Sequence, residues 1–163
     1  MTRIALTTAL VGIMGIGLAV PASGQANTRY QPGNCAVWAE MTADTVAKDA
    51  RLNGADRTAI KSSLDKYAKA QRAIVQSGMA ETYEKSKAFG WDKAKVDAQM
   101  KANEDAIRAG FRTPTMEADT VYMDHVLAVY QCGETATTEA QLGQPATEFA
   151  AAMNTLSNVV QGR

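Results

Sequence analysis

From Asn34 onward the apolar residues of this chain recur every three or four positions, and no run alternates with the period of a strand. That spacing belongs to amphipathic helices. Cys35, Trp38, Ala39, Ala43, Val46 and Ala50 make one stripe opposite Glu40, Asp44, Lys48 and Arg51. They predict a first helix from Asn34 or Cys35 to Leu52, capped by Asn34 and ended by Asn53-Gly54. Ile60, Leu64, Tyr67, Gln71 and Ile74 predict a second helix from Asp56 to Gly78, with Asp65, Lys69, Arg72 and Gln76 on the solvent side. A third segment, Met79 to Phe89, carries Tyr83 and stops at Gly90. Asp92 then caps a polar helix to Arg108, with Val96, Met100, Asn103 and Ile107 as its stripe, expected at the outside of the fold.

Thr113-Pro114 is a start signal, a threonine cap followed by proline at the first helical position. The helix it opens, to Gln131, is apolar almost all round and is expected at the buried centre. A short turn over Thr138 to Leu142 precedes a last helix after Gln144-Pro145, with Phe149, Met153, Leu156 and Val160 facing inward.

The first 26 residues follow another pattern. Arg3 opens an apolar run from Ile4 to Val20, and Pro21, Ala22, Ser23 and Gly24 follow. A basic start, an apolar core and small residues make up a cleaved secretory signal, cut near residue 22 or near residue 26. The run is at the short limit for a membrane span. Residues 27–33 read as a loosely ordered lead-in containing Tyr30, and residues 34–163 as the helical domain. The chain is therefore expected outside the cytoplasm, periplasmic or extracellular, with no transmembrane segment after cleavage.

Export changes the meaning of the two cysteines. In an oxidising compartment Cys35 and Cys132 are expected to form one disulfide. Cys35 begins the first helix and Cys132 ends the one expected at the centre, so the bridge makes those two helices antiparallel neighbours. The expected architecture is all-α, a single-domain up-and-down bundle of about four to six helices.

Charge excludes one class of partner. Basic and acidic residues number 17 each, and removal of Arg3 with the signal leaves a net charge of −1. A nucleic-acid binder needs a basic face that such a balance does not supply.

His125, the one histidine, precedes Cys132 by seven residues and lies on the same helix face. Across the bridge it should meet Thr42, about 10 Å from the disulfide, with Trp38 and Thr45 beside it. A buried imidazole satisfied by one hydrogen bond is the plain expectation. As a general base it lacks an orienting carboxylate, since Asp124 points about 100° away around the helix. As a metal ligand it lacks a companion histidine, and no metal site is expected. As a haem ligand it would need Met41, which points away from the Cys35 face, so His125 stands as a weak cofactor candidate and no bound cofactor is expected.

The near acidic pairs, Glu81 with Glu84, Glu104 with Asp105 and Glu117 with Asp119, read as solvated surface. Trp91, between Gly90 and Asp92, and Tyr83 are candidates for a binding surface. The leading expectation is a non-catalytic exported protein that binds another protein or the cell envelope. An apolar-ligand or haem binder near His125, and a small hydrolase with paired carboxylates, are the alternatives.

Overall fold

A computed structural model describes residues 31–110, 117–136 and 138–163. The signal segment, Tyr30 and Thr113-Pro114 lie outside them. Six helices and no strand occur among the described residues: α1 Pro32–Val46, α2 Gly54–Lys87, α3 Lys93–Ala109, α4 Ala118–Thr135, α5 Glu139–Leu142 and α6 Ala146–Val160. The fold is an all-α bundle carrying a Cys35–Cys132 disulfide, the two Cα atoms 5.8 Å apart.

α1 ends six residues earlier than its apolar stripe suggests. Ala50 is exposed and lies outside the helix. The amides of Lys48 and Asp49 donate to Thr45 and Val46 three residues back, tightening the last turn. Asp49 then folds the chain locally. Its carboxylate accepts the Arg51 amide at 3.0 Å and both arms of the Arg51 guanidinium at 3.0 Å, a side-chain alternative to continued helix. Leu52 turns into the core, and Asn53 serves the next helix: its Oδ1 accepts the Asp56 amide at 2.9 Å.

The expected second and third segments are one helix. α2 runs through Gly78 without a break. A single interior glycine costs a helix only about 1 kcal/mol. Burial of Met79 immediately after it and the Glu81–Lys85 ion pair one turn on act against that cost. The helix ends at Lys87, and Gly90, with a φ of 70°, lets the chain reverse. Asp92 Oδ1 then accepts the Lys95 amide at 2.8 Å and opens α3.

α1 and α2 form the centre of the bundle. Beyond its expected stripe, α1 also buries Ala36, Val37 and Thr42, because α2, α3 and α4 all pack on it. α4 was expected in that position and lies further out. It packs on α1 and α6 and leaves Leu127 and Tyr130 nearly half exposed. α3 lies outside, as its polarity suggests, and buries only Val96 fully. Asn103, counted in its stripe, is exposed.

Around Ile60, Leu64 and Tyr67 the core is closed from the C-terminal side by Phe149, Met153 and Leu156, with Phe149 stacked on Tyr67 at 4.9 Å. The polar groups there are matched. Ser63 Oγ donates to Gln144 Oε1 at 2.7 Å, and Gln144 Nε2 donates to the Ser63 carbonyl at 2.8 Å. Gln71, read as part of an apolar stripe, donates its amide to the Gln141 carbonyl at 2.6 Å.

On the opposite side α1, α2 and α3 are joined by charge. Arg72 holds Glu40 of α1 through two bonds, at 2.9 and 3.1 Å, and also grips Glu104 of α3. Arg108 closes the cluster on Glu40. Glu40, Arg72 and Glu104 are therefore half-buried partners and not solvated surface.

Candidate functional site

The disulfide sets the register of α1 against α4, and it brings His125 where the sequence places it. His125 is only 6% exposed. Its ring faces Trp38, centroids 5.4 Å apart and planes tilted by 48°. The threonines expected beside it donate their hydroxyls within α1. Thr42 Oγ1 donates to the Trp38 carbonyl at 2.8 Å and Thr45 Oγ1 to the Met41 carbonyl at 3.1 Å, each within its own helix. The imidazole thus packs on an indole as part of the core. Among the described residues, no group of three His, Cys, Asp or Glu side chains is placed to hold a metal ion.

Among the described residues, clefts open on the surface at three places that His125 does not line. One, of about 570 Å³, lies along the first half of α2 between Arg57, Lys61, Lys66 and Lys69. Two of these lysines are already paired: Lys61 with Asp65 at 2.5 Å and Lys66 with Glu148 at 3.1 Å. Another, of about 480 Å³, is bounded by the Asp49–Arg51 pair, Asp119 and Tyr122. Arg51 lies over the Tyr122 ring at 5.6 Å and holds Asp49 below the usual carboxylate range. Burial, with the Asp49 charge beside it, pushes the Tyr122 hydroxyl up.

The third cleft, of about 500 Å³, contains one of the two binding residues read from the sequence. It runs between α2 and α3. Val75, Met79 and Met100 give it an apolar floor, the Arg72–Glu104 pair closes one end, and Tyr83 and Asp97 close the other. Tyr83 donates to Asp97 Oδ1 at 2.6 Å. Lys93 reaches Asp97 Oδ2 at 2.6 Å and lies 4.9 Å from the centre of the Tyr83 ring. Hydrogen bonds from Lys93 and Tyr83 lower the Asp97 pKa, and the bond to Asp97 raises that of Tyr83. Tyr83 is thereby fixed at the cleft wall as an aromatic face with a satisfied hydroxyl.

Trp91, the other candidate, sits at the turn that joins α2 to α3. Its amide donates to the Ser86 carbonyl at 3.2 Å, and the Lys95 ammonium lies 4.8 Å over its ring. The indole is half-buried under that lysine. Its neighbour Phe89 is the more available group, 81% exposed at the tip of the turn. The sequence signal for Phe89 is its position: an apolar residue just before Gly90, where a helix must end and no stripe can cover it.

α2 carries this tip well clear of α1. The start of α1 is level with Val75, since a Cβ on Gly33 would lie 3.6 Å from Val75 Cγ2. The rest of α2 extends about 18 Å further at 1.5 Å per residue.

Apart from Glu117, the acidic pairs are divided among basic partners. Glu81 binds Lys85, Glu84 binds Lys87, Glu104 binds Arg72 and Asp105 binds Lys101. Asp119 lies 3.4 Å from Arg51. Compared with protein-family models, with curated proteins and with solved structures, the chain matches none.

Proposed function

We propose that this chain is an exported protein, periplasmic or extracellular, that works by holding a protein or envelope partner and not by catalysis. The contact is the projecting end of the α2–α3 hairpin. One observation carries this reading: Phe89, a large apolar side chain, stands 81% exposed at the tip. Keeping such a group in water is unfavourable by on the order of 1.5–3 kcal/mol relative to burial. The Tyr83 cleft lies on the same hairpin and offers an apolar floor with fixed polar walls. Export is supported by the order of the first 26 residues and by the paired cysteines. No helix among the described residues is long and apolar enough to cross a membrane.

Photo-cross-linking in the producing cell tests the proposal. A benzophenone side chain at position 89 is compared with one at position 154, where exposed Asn154 stands on α6. The expected result is an adduct of discrete mass from position 89 alone, recovered in the exported fraction with a mature chain starting near Ser23 or Asn27. Absence of adducts, or equal adducts from both positions, overturns the hairpin as the contact.

A further inference from the structure

Opposite charges are spread unevenly along this nearly neutral chain. No lysine or arginine lies between Arg112 and Arg163, whereas Glu117, Asp119, Asp124, Glu134, Glu139 and Glu148 all do. Asp119 and Glu148 are matched from α1–α2 by Arg51 and Lys66. Glu117, Asp124 and Glu134 form no ion pair among the described residues, and all three are exposed, Glu117 at the cap of α4 and the other two on the helix.

The same helix has an unfilled apolar edge. Tyr122, His125, Val129 and Cys132 take its buried side. Met123, Leu127 and Tyr130 recur at i, i+4 and i+7 on the other, with Leu127 46% and Tyr130 43% exposed. The stripe is about 10 Å long. Glu117 and Asp124 flank it on one side, and Glu134 follows at its end. We infer that this face of α4 docks a cationic amphipathic helix of another protein: apolar side chains cover Leu127 and Tyr130, and lysines or arginines meet Glu117, Asp124 and Glu134.

A second copy of this chain is a poorer complement. Its only other large exposed apolar residue among those described is Phe89. The lysines near Phe89 are already engaged: Lys85, Lys87 and Lys93 with Glu81, Glu84 and Asp97, and Lys95 over Trp91. The tip therefore brings little unmatched positive charge to an acidic face.

The test uses the oxidised full-length mature protein and a synthetic leucine/lysine amphipathic helix of about four turns, with its leucine/glutamate counterpart as control. Fluorescence anisotropy reads affinity, and backbone amide shifts read location. The lysine peptide is expected to bind and to move signals of α4, and the glutamate peptide is not. Asp124→Lys with Glu134→Lys should weaken binding about tenfold, as should Leu127→Ser with Tyr130→Ser, while Phe89→Ser leaves it unchanged. The peptide comparison needs no variant, so it stands even if a substitution harms folding. Equal binding of both peptides, absence of binding, or shifts that map away from α4 overturn the inference. So does a wild-type dimer that Asp124→Lys with Glu134→Lys returns to monomer, because the face then belongs to a second copy.

Discussion

Glu40 carries a charge that its surroundings pull in two directions. Burial would raise its pKa, but hydrogen bonds and attraction from Arg72 and Arg108 outweigh burial and lower it from its ordinary 4.5. A carboxyl depressed in the folded state adds stability above its unfolded pKa and loses that stability as pH falls through the folded value. Glu40→Gln should cost about 1–2 kcal/mol at neutral pH, where two arginines lose a charged partner at a half-exposed site. In urea titrations the gap between wild type and variant should narrow as pH falls below 4.5, the ordinary value, and close once Glu40 is protonated in the folded state too. A gap independent of pH would mean that Glu40 acts through packing alone. Nothing local marks Glu40 for this role. It lies on the polar side of its helix, and its partners stand 32 and 68 residues away. His125 is the opposite case: a disulfide expected from compartment and cysteine count fixes the register, so its burial beside Trp38 follows from helical spacing. The hydrogen bond that Thr42 donates within its own helix does not follow from that spacing, because a threonine hydroxyl can bond either across helices or back along its own.

Among the helices, three starts were legible. Asp92 opens α3, Thr138 opens α5, and α6 follows Gln144-Pro145. Two of the misread boundaries lie where one residue type serves two purposes. Asn53 resembles the end of a helix, yet its side chain caps the next one. Gly78 resembles a break, yet contacts on either side carry α2 across it. Gly78→Pro separates the two possibilities. In a turn between two helices a proline is tolerated; inside α2 it removes a hydrogen bond and clashes with the preceding turn, at about 3 kcal/mol. We expect the large loss, read as a lower urea midpoint with reduced helical ellipticity. A midpoint within the spread of surface variants would mean that α2 is two helices. The hairpin's reach past α1 depends on this continuity, and so does the placement of Phe89.

For the molecule as a whole, the bridge is the main long-range constraint. It joins residues separated by 97 positions. A loop of that size, if the chain-entropy account holds, restrains the unfolded chain by about 4–5 kcal/mol. Cys35→Ser with Cys132→Ser should lower unfolding free energy by about 2–5 kcal/mol, and reduction of the wild type should lower it equally. A loss below about 0.5 kcal/mol in guanidinium titrations would show that packing of α1 on α4 suffices without the bond. The helical class, the bridge and the outer place of α3 are apparent from spacing and composition. A sequence apolar nearly all round points to α4 as the centre, whereas alanine-rich α1 takes the place by allowing three helices to approach it.

The bridge also divides the molecule mechanically. Pulled between Gln31 and Arg163, the oxidised chain passes force from the first turn of α1 through the sulfur–sulfur bond into the last turn of α4 and on to α6. α2, α3 and most of α1 and α4 lie inside the closed loop, off the line of tension. An anchored copy under load would yield first at its C-terminal helices, while the hairpin that carries Phe89 kept its shape.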